Sequence, residues 1–424
     1  MPLFVETLQQ IFRGIARQAP PLSGVVKQGA FLLLFIATLS ALLGLSALLP
    51  AEPLRNGIVD AYRDGRFVDN YPGIKHFKPI DMYTECVGLG NALLVKPDIQ
   101  SLLQMETYGQ CTALSQAAEQ GFTSSGSPYP RYVHGYVIVV KVLYSLFSFM
   151  TVRVICTLIG LSLLGILGVT LYKKIGLACA LCAVGTLLLT RPHNAFFLPT
   201  HAVTFWIVIM GAIAVSRSKE YTPPPVLLFA CIGAADSFFS YLTMGSLSLG
   251  LPAFCYALLA WKRGVKPEDV AAGIFWAGLA WSIGYLLPWL LKWGLVFSVF
   301  SGSQSIFGNT LDIYPAKGIA MILQAFCNDL AYTRWKIWVP LFVLLAVRAI
   351  HKRGSLPTGI WCVMLPGLIP LIWISLLPGQ SGILHAAFVN IILWPLLAAI
   401  CLLLTLTGYG CNVRKGRTGQ DAAC

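Results

Sequence analysis

Apolar and polar positions along this chain fall into long blocks. Runs with few or no charges cover roughly 29–50, 153–172, 175–190, 198–216, 225–244, 246–261, 270–300, 334–350, 357–378 and 384–408. As helices, most of them are long enough to cross ~30 Å of hydrocarbon. A spanning segment must satisfy its own backbone, and the period-two pattern of a membrane β-barrel is missing. The pattern predicts an all-α, polytopic helical membrane protein with about ten transmembrane helices. The 270–300 run is longer than a bilayer needs and is interrupted by Pro288 and Lys292, so it is expected to break or emerge early.

The remaining segments organise around those runs. Residues 1–27 place Phe4, Leu8, Ile11, Phe12 and Ile15 at helical spacing, with Arg13, Arg17 and Lys27 between or beyond them, as in a helix lying on a membrane surface. The first transmembrane helix is expected within 28–50. A large polar loop, 51–151, follows. Its last part, 135–150, is apolar but carries Lys141, and reads as a juxtamembrane or dipping helix. The transmembrane bundle occupies 152–408, with a smaller polar loop at 302–333, and a basic tail covers 409–424.

Composition supports this reading. The chain of 424 residues is 57% hydrophobic and 11% charged, with mean hydropathy +0.73. That apolar content exceeds what a soluble core uses. The net charge of +13 does not point to nucleic acid, because of where the charges lie. With residues 1–27 inside and 135–150 not counted as a span, every basic cluster falls on the cytoplasmic side: Lys173-Lys174, Arg217 with Lys219, Lys262-Arg263 with Lys266, Arg348 with Lys352-Arg353, and Arg414-Lys415 with Arg417. Eleven acids then lie outside, in the loops: Glu52, Asp60, Asp64, Asp69, Asp81, Glu85, Asp98, Glu106, Glu119, Asp312 and Asp329. The expected setting is an inner (plasma) membrane, with both termini cytoplasmic and the polar loops extracytoplasmic.

Candidate chemistry gathers on the outer side. Asp81 and Glu85 are four residues apart and share one face if 81–94 is a helix. A carboxylate beside a low-dielectric surface suits a general base, whereas the bland account is a solvated acid or a helix cap. Arg131 and His134, in Tyr129–Tyr136, stand where the chain re-enters the membrane, and Arg131 suits a phosphate or carboxylate. Arg191 and His193 sit at the outer end of one span, and His201 and His385 begin later ones. Asp236 is an acid within an apolar run, with Lys292 as candidate partner or phosphate ligand; the bland alternative is a structural pair or a snorkelling lysine. Cys86 and Cys111 are the two cysteines of the large loop and can pair if it faces an oxidising exterior. Cys179 and Cys182 lie in an apolar run and read as buried thiols. Zincin, serine-hydrolase and P-loop patterns are absent.

Several short motifs resemble those of a group of bacterial polytopic membrane proteins. Asp81-Met-Tyr-Thr-Glu85 resembles their first-loop motif, Asp-Asn-x-Thr-Asp, with Glu85 in place of the second Asp. Tyr129-Pro-Arg-Tyr-Val-His-Gly-Tyr136 is similar to their Tyr-x-Arg-Tyr-Trp-His-Gly-Tyr, with Val133 in place of Trp. Asp236-Ser-Phe-Phe-Ser-Tyr-Leu-Thr243, Leu247-Ser-Leu-Gly-Leu-Pro252 and Trp281 through Lys292-Trp293 resemble further segments. Near the last span, Ser381, His385 and Phe388 match, but the Arg that relatives carry is missing. The group's layout resembles that of GT-C glycosyltransferases, whose large first outer loop holds a catalytic acid and juxtamembrane helices.

The resemblance implies inverting transfer of a sugar from a polyprenyl-phosphate sugar donor to a cell-envelope glycan or lipid acceptor at the outer face. Asp81 would be the general base. Glu85 would orient the acceptor or help hold a divalent cation (Mg2+ or Mn2+). Arg131, Arg191 and Lys292 would meet the lipid phosphate, with His134, His193, Asp236 and His385 lining the substrate site. Two other readings stand beside it. One is a transporter or flippase of lipid-linked sugars built on Asp236 and Lys292, although the halves show no convincing repeat. The other is a catalytically silent subunit of an envelope assembly.

Overall fold

The computed structural model describes residues 2–65, 81–190, 193–219, 221–241, 244–300, 318–332, 335–351, 359–379 and 393–407. Among these residues the fold is all-α, and the one β feature is an isolated bridge between Thr107 and Ser127. The helices are α1 (Pro2–Gln18), α2 (Leu22–Ser46), α3 (Glu52–Arg63), α4 (Met82–Leu94), α5 (Ile99–Gln104), α6 (Cys111–Glu119), α7 (Tyr136–Leu146), α8 (Phe149–Ile175), α9 (Leu177–Leu189), α10 (His193–Phe197), α11 (Pro199–Arg217), α12 (Val226–Phe239), α13 (Gly245–Lys262), α14 (Pro267–Val299), α15 (Ile319–Tyr332), α16 (Trp335–His351), α17 (Trp361–Leu376) and α18 (Trp394–Leu406). α9 contains a π-helical turn at Leu181–Gly185, and α17 a 3-10 turn at Leu365–Leu368.

Among the described residues, four helices are long and apolar enough to cross a membrane: α2, α8, α11 and α14. Shorter apolar helices, α7, α9, α12 and α15 to α18 in whole or part, accompany them. The chain is therefore a helical protein suited to a membrane. α8 and α14 show how local sequence sets the ends. Ser148 caps α8, Lys173 and Lys174 lie in its last turn, and Gly176 at φ 85 turns the chain into α9. α14 opens on Pro267 with Glu268 and Asp269 in its first turn.

The structure moves several expected boundaries. The surface helix stops at Gln18, and the first long helix begins at Leu22 rather than near residue 28. α14 runs unbroken for 33 residues through Pro288 and Lys292, where a break was expected. α7 has 11 residues and ends at the extended Phe147, so the 135–150 stretch stays too short to span. Part of the expected polar loop 302–333 is the apolar helix α15, while 301–317 lie outside the described residues.

The bundle is built on close backbone contact. A Cβ on Gly233 of α12 would come 2.2 Å from the Trp281 carbonyl oxygen of α14, and one on Gly284 would come 2.0 Å from the Ala230 carbonyl oxygen. Small residues let the helices approach where lipid supplies no hydrophobic drive.

The molecule has two chemically different ends. At one, Arg17 pairs with Asp269 at 2.7 Å, the Trp276 indole donates to the Ile15 carbonyl, Lys174 donates to the Ser216 carbonyl and Arg263 to the Lys219 carbonyl. The basic clusters at 173–174, 217–219 and 262–266 meet there. At the other, Lys141 donates to the Ala47 carbonyl, the Gly135 N–H to the Phe238 carbonyl, Lys292 to the Tyr132 carbonyl and the Trp293 indole to the Arg131 carbonyl. There the large loop, with α3 to α7, docks onto the bundle.

Candidate functional site

The loop meets the bundle through α4. Asp81 caps this helix: one oxygen accepts the Thr84 N–H at 3.0 Å, and the other accepts the Thr84 hydroxyl at 2.6 Å. His201 Nε2, from α11, lies 3.4 Å from the same second oxygen. The capping account thus describes how Asp81 is held, and the side chain is fully buried.

One turn later, Glu85 is also fully buried. It accepts the Thr200 hydroxyl at 2.6 Å through Oε2, while Oε1 has no partner among the described residues. Burial pushes this carboxyl above its ordinary range; the Thr200 hydrogen bond, Arg153 and His201 pull it partly back. Arg153, buried in α8, lies over the Phe149 ring at 4.5 Å. Two acids, a histidine and an arginine therefore share one enclosed junction of α4, α8 and α11.

A second polar network lies beside the first. Asn91 donates both amide hydrogens to backbone, to Met105 O at 2.7 Å and Glu106 O at 2.9 Å. Its oxygen is left to face the Tyr136 hydroxyl at 2.7 Å. That hydroxyl also lies 2.6 Å from His134 Nδ1, and His134 Nε2 lies 2.7 Å from the Tyr129 carbonyl. The carbonyl can only accept, so the Nε2 nitrogen carries a proton. Burial, followed by the nearby Lys292 charge, holds the imidazole well below its ordinary pKa, in the neutral form. Tyr136 therefore has one proton for two acceptors. His134 sits at φ 67, the left-handed region uncommon for a side-chain-bearing residue. Both its ring nitrogens are engaged within the loop, so its observed role is to fix the 129–136 turn.

A file of aromatic rings leads away from this network. Tyr136 stacks on Tyr241 at 4.6 Å, Tyr241 meets Tyr132 at 5.4 Å, and Tyr132 meets Trp289 at 6.4 Å. Trp289 continues to Tyr285 at 5.9 Å, which stacks on Trp281 at 4.6 Å. Gly88 brings α4 against the start of this file: a Cβ there would come 2.4 Å from Thr200 Cγ2 and 2.9 Å from the Tyr241 hydroxyl. The Arg131 guanidinium lies over the Tyr129 ring at 5.6 Å, and buried Lys292 binds the next carbonyl, that of Tyr132. The Arg131–Tyr132 backbone thus docks on Lys292 and Trp293 at the loop end.

Asp236 and Lys292 do not pair. Asp236 accepts the Ser248 hydroxyl, which in turn accepts the Trp281 indole N–H at 3.1 Å. Lys292 lies eleven residues beyond Trp281 on the same helix, roughly 16 Å along its axis. Each buried charge has its own polar partner, which lowers the cost of burial separately for each. Arg191 and His385 lie outside the described residues; for His193 the backbone is described, at the start of α10 on the loop end. Cys86 of α4 and Cys111 of α6 form a disulfide, with Cα atoms 5.1 Å apart.

Thr200, Arg153, Asn91, Tyr136, Tyr241 and Ser248 carry much of this site and were missed as site residues in the sequence. Arg153 alone left a signal, as the one charge near the start of an apolar helix. Asp329, expected as a loop acid, is buried on α15. Among the described residues no three metal-binding side chains gather. The chain matches no family model, no curated protein and no solved structure.

Proposed function

We propose that this chain is a membrane-embedded glycosyltransferase of the GT-C kind, with about ten spans and its loop end outside the cell. It would move a sugar from a polyprenyl phosphate to a glycan or lipid acceptor. The observation that carries the reading is the junction itself: a buried carboxyl with an uncommitted oxygen, Glu85, joined by a file of rings to Arg131 and Lys292. The disulfide between Cys86 and Cys111 supports an oxidising exterior for that end.

Glu85 takes the role of general base, in place of the Asp81 assignment drawn from the motif. Asp81 already accepts two hydrogen bonds from Thr84. Glu85 keeps one oxygen without a partner among the described residues, and burial raises its proton affinity above that of an ordinary carboxylate, which suits a proton acceptor. The acceptor oxygen attacks the anomeric carbon, its proton passes to Glu85, and the bond from that carbon to the phosphate oxygen breaks with inversion. Arg131 and Lys292, with Arg191 from the sequence, compensate the leaving lipid phosphate. No step is routed through a metal ion. The carboxyl is shut away from solvent in this conformation, so the reading requires the loop to part from the bundle when substrate binds.

The same burial favours a second reading, a catalytically silent subunit in which Asp81 and Glu85 only lock the loop. A transfer assay with lipid-linked sugar separates the two. Glu85→Gln should abolish turnover while the protein stays folded; Asp81→Asn should weaken it through the cap. Full turnover by a folded Glu85→Gln protein would leave the second reading standing.

A further inference from the structure

The end of the molecule opposite the loop carries a groove that this function does not use. It holds about 740 Å³ between α8 and the end of α11. Ser162, Gly165, Ile166, Val169, Thr170 and Lys173 line it from α8, at the three- and four-residue spacing of one helical face. Lys174 and Arg217 close its end.

The groove is amphipathic along its length. Ile166 is 43% and Val169 53% exposed, on a face of α8 that continues through Leu158 and Leu161 at 58% and 48%. Gly165 keeps the floor open, since a Cβ there would meet nothing within 4 Å. The charged end is lined by three cations, Lys173, Lys174 and Arg217, with Arg263 beside them. Lys174 is fastened by its hydrogen bond to the Ser216 carbonyl, and Arg217 and Arg263 both act on it as like charges. No carboxylate is recorded against Lys173, Lys174 or Arg217 among the described residues. Three cations crowded at the foot of an apolar trough call for an anion attached to hydrocarbon.

We propose that this groove binds an anionic phospholipid, with its phosphodiester at Lys173, Lys174 and Arg217 and an acyl chain along Ile166 and Val169. The charge complementarity fits the negative leaflet that basic membrane ends face, and pockets of this kind between spans take anionic head groups. The Thr170 hydroxyl is committed to the Ile166 carbonyl, so the recognition is by charge and apolar length rather than by a hydroxyl contact.

The test uses the purified full chain in detergent, with phosphatidylglycerol and phosphatidylcholine of the same acyl chains added at equal concentration, read by native mass spectrometry. The wild-type protein should retain phosphatidylglycerol in preference. Lys173→Gln with Arg217→Gln, both exposed, should cut retention on the order of tenfold to thirtyfold, the equivalent of about 1 kcal/mol per basic side chain. Arg13→Gln with Lys27→Gln removes the same charge elsewhere and should leave retention within about twofold. Equal retention of both lipids by the wild type, undiminished retention by the groove variant, or an equal loss in the control variant would each overturn the site. Displacement of the lipid by excess glycerol 3-phosphate would also overturn it, because the acyl chain would then contribute nothing.

Discussion

Thr200 donates its hydroxyl to one oxygen of Glu85 at 2.6 Å, across 115 positions of sequence, while the other oxygen has no partner among the described residues. This contact ties α4 of the loop to α11 of the bundle. It also leaves the carboxyl with more hydrogen-bonding capacity than its surroundings use, a cost of about 1–3 kcal/mol for a buried group.

The first prediction follows from that excess. The folded state holds the Glu85 carboxyl above its ordinary value near 4.5, so above that pH the unfolded chain ionises while the folded one resists. Stability is therefore lost as pH rises from about 4.5 towards the raised folded value. Glu85→Gln should unfold at a higher temperature than the wild type at pH 7, with the gap closing as pH falls to about 4.5. A melting temperature for the variant at or below wild type at pH 7 would show that the fold does not raise the proton affinity of Glu85.

Cys86 and Cys111 close a loop across a sequence separation of 25. In the chain-entropy account, a bridge of that span contributes about 3–4 kcal/mol. Replacing both residues with serine should leave the bundle folded but expose 52–133 to protease at least tenfold faster. Unchanged cleavage would mean that helix docking alone holds the loop.

Gly233 and Gly284 should tolerate nothing larger. Gly284→Leu forces side-chain atoms into the Ala230 backbone and is expected to destabilise the bundle by more than about 3 kcal/mol. Gly278, on the same helix but with open space around it, should accept alanine with a small gain. Thermal melts of the two variants check this, and equal melts would contradict the close approach of α12 and α14.

The two-ended organisation is open to labelling. Cysteine at Asp98 and cysteine at Arg263 should react with a membrane-impermeant thiol reagent from opposite sides of sealed vesicles. A Cys327→Ser background removes the thiol that is exposed among the described residues. Reaction of both positions from one side would collapse the arrangement.

What the sequence showed and what it hid have physical reasons. Helices α2, α8 and α11 were legible because length and the absence of charge are properties of a single run. The basic end was legible because cations cluster at the ends of those runs. α14 misled because Pro288 cannot donate to the carbonyl of residue 284, yet packing against α12 at that level holds the helix together. The pairing of Asp236 with Lys292 misled for a related reason. Two expensive charges suggested each other, whereas a serine hydroxyl and a backbone carbonyl, invisible to charge counting, satisfied them apart. Glu85 stood out by its spacing from Asp81, but nothing in the sequence joined it to Thr200. Likewise, nothing in the sequence joins Asn91 to Tyr136, 45 residues on, whose hydroxyl donates to its amide oxygen.

The unbroken α14 has a mechanical consequence. Its 33 residues make a rod roughly 50 Å long, well beyond the hydrocarbon thickness. Asp269 at its first turn grips Arg17 of α1, and Lys292 and Trp293 near its last turns grip the 131–132 backbone of the loop. The N-terminal helix and the loop are therefore fastened to opposite ends of one stiff body. Because a stiff helix moves as a unit, any tilt of α14 displaces both its contact with α1 and its contact with the 131–132 backbone. The N-terminal helix thus acts as a handle at the end of α14 opposite the loop.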